Sequence, residues 1–102
     1  MVFFLELSAI DDLAAEHAAS LLDAYLETLL GRGLLSFRIG RATTDPKRLM
    51  IHEEWTSIAA HEAHDGNPAL AEMFQNLKPL ISAPASGTHY EIVAAGFTDE
   101  DD

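Results

Sequence analysis

Apolar and polar residues change their spacing along this chain often enough to divide it into elements. Residues 2–8 (VFFLELS) are rich in aromatic and branched side chains, the pattern of a short buried strand. Asp11-Asp12 then offers a helix cap and negative charge at the positive end of a helix dipole. From there Leu13, His17, Leu21, Tyr25 and Leu29 recur at four-residue steps, with Ala18, Leu22 and Leu26 widening the stripe. That spacing predicts a long amphipathic helix. Gly31-Arg32-Gly33 ends it, because glycine accepts the left-handed turn that helix C-termini often use.

Residues 34–43 alternate, with Leu35, Phe37 and Ile39 on one face and Ser36, Arg38 and Gly40 on the other. Thr44-Asp45-Pro46-Lys47 reads as a turn. Residues 49–55 alternate again: Leu49, Ile51, Glu53 and Trp55 share one face, and Met50, His52 and Glu54 the other. The two runs predict a hairpin. Thr56 or Ser57 caps a short helix through His64, and Asp65-Gly66-Asn67-Pro68 breaks it. Pro68 suits the first turn of a further helix, whose stripe is Leu70, Phe74, Leu77 and Leu80 or Ile81. Residues 84–87 read as loop and 88–95 as a last strand.

The order β-α-β-β-α-β predicts an α+β fold, a two-layer sandwich of the split βαβ, ferredoxin-like type. Residues 1–96 form a single domain, and 97–102 a solvated acidic tail. Helices in such a fold cover one face of the sheet. Apolar alternation in the strands argues that the other face is paired too, so a homodimer joined through sheet faces is expected.

Composition narrows the function classes. The 102 residues are 48% hydrophobic and 23% charged, ordinary globular usage, so disorder is not expected. Six basic and 17 acidic side chains give a net charge of −11, which repels phosphate backbones and anionic membranes and argues against nucleic acid as a partner. There is no cysteine, which removes disulfides, thiolate metal sites and cysteine nucleophiles. No apolar run approaches the ~20 residues of a membrane span, and Met1 to Glu6 lacks the basic region of a signal peptide. A soluble, cytoplasmic protein is the expectation.

A set of residues adds a resemblance. Gly33-Leu34-Leu35-Ser36-Phe37, Asp45-Pro46, Ile51-His52-Glu53-Glu54-Trp55, Ala59-Ala60-His61-Glu62-Ala63-His64, Asn67-Pro68 and Phe74 together resemble the antibiotic biosynthesis monooxygenase family over residues 33–93. The family pattern of a Glu, any residue, then Trp or Tyr, with Ala-His nine residues on, falls on Glu53, Trp55 and His64. The resemblance implies a dimeric α+β barrel and oxygen chemistry that uses no cofactor. Many members carry Pro-His where this chain has Pro68-Ala69, so a second pocket histidine is absent from that position. The haem-degrading branch is disfavoured, because its tryptophan and axial histidine would fall at His64 and Phe74.

On this reading His64 is the candidate base, since an imidazole takes a phenol or quinol proton near neutral pH. Glu53 orients His64 or satisfies buried donors. Trp55 and Phe74 supply an aromatic wall, and His52 and Tyr25 further substrate contacts; Tyr90 and His17 read as half-buried surface. The structural alternatives are a His64 that orders the Asn67-Pro68 turn and a Trp55 that only packs the core. His61, His64 and Glu53 could form a two-histidine, one-carboxylate metal site, but the spacing His-Glu-Ala-His is not the zinc-protease motif, so no metal is expected. No phosphate-cradling loop or nucleophile elbow is present. The expectation is a cofactor-independent monooxygenase that joins O₂ to a small aromatic, polyphenol or quinol-type substrate. The alternatives are a non-catalytic small-molecule-binding or dimerisation module of the same fold, or an enzyme that isomerises or degrades a small signal molecule.

Overall fold

Asp11 caps the first helix as its position suggests: its Oδ1 accepts the Ala14 amide at 2.7 Å. The structure, a computed structural model, describes residues 1–98. Its elements are β1 (Val2–Ser8), α1 (Asp12–Glu27), β2 (Leu34–Ala42), β3 (Asp45–Trp55), α2 (Ile58–Glu62), α3 (Pro68–Leu77) followed by a 3₁₀ turn at Lys78–Leu80, and β4 (Ser86–Tyr90). The strands form one antiparallel sheet in the order β2-β3-β1-β4. This is the α+β, ferredoxin-like arrangement expected from the element order.

The core lies between the sheet and the helices, and its largest fully buried side chains are Trp55, Leu29, Leu34, Ile51 and Leu77. In α1 the buried face is Ala14, Ala15, Ala18, Leu22 and Leu26. This corrects the stripe through Leu13 and His17: Leu13 is 76% exposed, and His17 is exposed as well. The alanines let the helix backbone settle close to the sheet, which turns α1 about one residue away from the largest apolar side chains.

Two strands also differ from the expected pattern. A bulge between Leu34 and Ser36 shifts the phase of β2, so Leu34 is buried and Leu35 is 58% exposed, while Phe37 and Ile39 still pack on the core. β3 begins at Asp45 rather than Leu49, the turn being Thr43-Thr44. Pro46 is tolerated there because β1 pairs β3 only as far as Ser8↔Arg48, so Pro46 lies beyond that ladder.

Asn67 caps α3 through Oδ1 on the Ala69 amide at 3.0 Å, with Pro68 at the first helical position. Met73 and Leu77 are its buried residues; Phe74 is 48% exposed. The last strand is Ser86–Tyr90, not 88–95. Its pairing with β1 ends at Val2↔Tyr90, so residues 91–95 run past the end of β1 and find no ladder there. Of the acidic tail expected at 97–102, only Phe97 and Thr98 fall within the described residues. Among the described residues, no helix is long and apolar enough to cross a membrane.

Candidate functional site

Strand alternation brings Ile51, Glu53 and Trp55 to the helix-facing side of β3, all of them buried. Trp55 and Glu53 are two residues apart on one face, and the indole Nε1–H donates to Glu53 Oε1 at 2.9 Å. Glu53 is only 5% exposed, the one charged residue among the buried ones of the described residues. Its burial pushes the carboxyl pKa above the ordinary value, and the Trp55 hydrogen bond offsets this in part.

Above this pair lies a cavity of about 200 Å³. Leu22, Tyr25 and Leu26 of α1, with Leu29 just beyond its end, form one wall, and Leu70, Met73 and Phe74 of α3 another. Phe3 and Leu5 of β1 contribute from the sheet beside Glu53 and Trp55. His61, His64 and Asp65 complete the lining.

Ser57 caps α2 by accepting the Ala60 amide at 3.0 Å, which fixes where His61 leaves the helix. His64 lies past the end of α2, in the turn that leads to Asn67. His64 Nε2 lies 2.9 Å from the Arg32 carbonyl oxygen. A carbonyl can only accept, so Nε2 carries the hydrogen, and in the neutral ring Nδ1 is the basic nitrogen. His61 Nδ1 lies 2.8 Å from His89 Nε2, which ties α2 to β4. The His61 ring also packs between Phe3 and Trp55, with centroids at 4.5 and 4.9 Å. Burial lowers the His61 pKa and the neighbouring His89 lowers it further, against the opposing pull of Asp65 and Glu62. Burial, followed by the charges of Glu53 and Asp65, raises that of Tyr25.

The cavity therefore gathers His64, Glu53, Trp55, Phe74 and Tyr25 from the residues singled out in the sequence. It does not gather His52. Alternation in β3 turns that side chain to the opposite face of the sheet, opposite Phe4 and Arg38 in the ladders. Nor does Glu53 meet His64: Glu53 bonds Trp55, and the group that orients His64 is the Arg32 carbonyl. Among the described residues no three His, Cys, Asp or Glu side chains are grouped to hold a metal ion. In the sequence alone His61 reads only as a metal partner, and Phe3 only as part of a strand. The spacing of three between His61 and His64 was the available sign that both serve one site.

A model of the antibiotic biosynthesis monooxygenase family matches residues 6–76. Solved structures give the same fold. A candidate antibiotic biosynthesis monooxygenase from Nitrosomonas europaea is 18% identical, covers 90% of this chain and 88% of its own, and superposes with a TM-score of 0.81. A second, from Deinococcus radiodurans, is 18% identical over 96% of this chain and 100% of its own, with a TM-score of 0.76. Rv0793 from Mycobacterium tuberculosis is 18% identical over 93% and 97%, with a TM-score of 0.78. No curated protein matches. With the family model spanning most of its length, the chain belongs to the antibiotic biosynthesis monooxygenase family.

Proposed function

We propose that the protein is a cofactor-independent monooxygenase for a small aromatic, quinol-type substrate. The observation that carries this reading is the cavity: about 200 Å³, mostly apolar, with the His64 imidazole in its wall. An enclosed apolar cavity of roughly 150 Å³ holds benzene, so this one suits a substituted ring or a small bicycle. Trp55, Phe3 and Phe74 offer flat apolar surfaces to it.

His64 Nδ1 takes a proton from the substrate and leaves an anion whose electron-rich ring carbon reacts with O₂. Electron transfer and recombination give a carbon-bound peroxide anion, which the imidazolium protonates. The base then removes the hydrogen on the same carbon, the O–O bond breaks, and a carbonyl forms as hydroxide leaves. Hydroxide takes the second proton to give water. A CH₂ group and O₂ become C=O and H₂O, and the imidazole returns to its starting state.

A homodimer joined through the outer sheet face and a cytoplasmic location belong to the same proposal. Phe4 and Met50, both half-buried on that face, support the pairing. Oxygen uptake tests the reaction, with a panel of hydroquinones, anthrones and polyphenols at neutral pH, no added cofactor and autoxidation subtracted. Protein-dependent uptake that falls in His64→Ala is expected. No uptake across the panel would overturn the oxygenase reading. The bond from His64 to the Arg32 carbonyl favours a second reading, a small-molecule-binding module in which His64 only fastens two loops. In that case His64→Ala lowers the melting temperature, and ligands raise it without turnover.

A further inference from the structure

Glu53 is a carboxyl group in a place that does not favour a carboxylate. It is nearly fully buried, its surroundings are Trp55 and the apolar cavity, and among the described residues no lysine or arginine lines that cavity. The titratable groups that share the lining are Tyr25 from α1, His61 from α2, and His64 and Asp65 from the turn beyond it. One neutral N–H bond, from Trp55 to Oε1, is the hydrogen bond Glu53 makes. A buried carboxylate with that little support takes up a proton instead.

The Trp55 bond also decides which oxygen holds the proton. Oε1 accepts from the indole, so the acid hydrogen sits on Oε2. Among the described residues no fully buried side-chain oxygen or nitrogen lacks a partner. Among the described residues Oε2 has no hydrogen-bond partner and is therefore not sealed off, and the space it opens onto is the cavity that Glu53 lines.

We propose that Glu53 is a neutral hydrogen-bond donor of this site, with its Oε2–H placed to bind the carbonyl oxygen of a ketone ligand. This rests on the reading above for the chemistry that follows, but not for binding. When a histidine of the cavity removes the proton on the carbon next to the carbonyl, the C–H electron pair moves into a C=C bond and the C=O π pair moves to oxygen. Glu53 Oε2–H then faces the oxygen that gains the charge. A carboxylic acid kept neutral by an apolar site serves this purpose well, because the hydrogen bond strengthens as the enolate forms. Glu53 then touches the ligand and is a catalytic residue, with Trp55 as its positioning residue.

Glutamine is the discriminating substitution. It keeps an oxygen to accept from Trp55 and an N–H to donate to the ligand, yet cannot ionise. The probes are 2-tetralone and the matching hydrocarbon tetralin, with binding followed by calorimetry and solvent deuterium exchange at the ketone's α-carbon by NMR. The wild-type chain is expected to bind 2-tetralone about tenfold more tightly than tetralin. Glu53→Gln keeps that preference within about threefold, whereas Glu53→Ala abolishes it. α-Exchange in the wild type exceeds the buffer rate and falls in Glu53→Ala. Infrared difference spectra between the wild type and Glu53→Gln show a carboxylic acid C=O band at neutral pH, which does not depend on the alanine variant folding. A carboxylate band in its place overturns the proposal, as does a ketone preference lost in Glu53→Gln or kept in Glu53→Ala. A ketone preference that follows Glu53, without oxygen uptake on any substrate, leaves this inference standing and removes the oxygenase.

Discussion

Gly87→Ala is a substitution whose sign the structure decides. Gly87 lies in β4 opposite Leu5, and its φ is not in the left-handed region. On backbone grounds alone, replacing a strand glycine by alanine stabilises by about 0.5–1 kcal/mol. Packing opposes this. A Cβ at Gly87 would fall onto Cζ of Phe3 and lie 2.9 Å from its Cε1, well inside the ~3.5–4.0 Å of an ordinary carbon contact. The Phe3 ring has little freedom to yield, because His61 and His89 pack on it with centroids at 4.5 and 5.0 Å. Overpacking of this kind costs about 1–3 kcal/mol. The clash wins, and the net loss is about 0.5–2 kcal/mol, which lowers the melting temperature by roughly 2–10 °C for a chain of this size. The assay is thermal and urea unfolding at one protein concentration, since self-association would add stability of its own. Phe3→Leu and the double variant complete a cycle: in the Phe3→Leu background Gly87→Ala becomes neutral or stabilising, with a coupling of about 1 kcal/mol or more. A Gly87→Ala protein that melts higher than the parent, or one equally destabilised without the Phe3 ring, would refute the argument.

Trp55→Phe removes the indole N–H from Glu53 Oε1 and is expected to cost about 1–3 kcal/mol by urea titration, with more of that cost at a pH where Glu53 is ionised. The pH dependence has two opposed parts, measured as melting temperature across pH. His61 has a lowered pKa when folded, so its contribution is complete above the ordinary histidine value of about 6.5 and is lost as pH falls through that value to the folded one. His89→Gln removes the neighbouring charge and flattens this acid-side slope. Glu53 has a raised pKa when folded, so stability from it is complete below the ordinary carboxyl value and is lost as pH rises through the folded one. Glu53→Gln removes that slope. Leu77→Ala, at a side chain 1% exposed, is expected to cost about 2–5 kcal/mol; Leu13→Ala, on the exposed side of α1, changes stability by less than about 0.5 kcal/mol. Equal losses at the two leucines would contradict the assigned face of α1.

The parts of the fold that were legible in the sequence are those where one local rule acts alone. β1 spans the run from Val2 to Ser8 because that segment has no competing signal, and Asp11, Ser57 and Asn67 cap as their types suggest. Errors arise where a second element intervenes. Leu35 follows the alternation of its own strand on paper, but the bulge next to Leu34 is set by pairing with β3. Residues 92–95 are apolar enough for a strand, yet a strand needs a neighbour, and β1 has already ended at Val2. The site was legible in the same measure. Glu53 and Trp55 share a face by strand period alone. That Arg32, far away in sequence, orients His64, and that His89 meets His61, depends on how the helices come back over the sheet.

β3 is a strand with two sides that answer to different demands. Glu53 and Trp55 line the cavity and Ile51 packs in the core on the same side, while Met50, His52 and Glu54 point the other way. Substitutions at odd positions can alter what the cavity accepts without touching the surface the sheet offers outward, and those at even positions can do the reverse. Under the proposed ligand site and sheet-face dimer, ligand choice and self-recognition would be free to drift apart in evolution, though adjacent residues encode them. Deleting or inserting one residue within this strand would exchange the two roles at once.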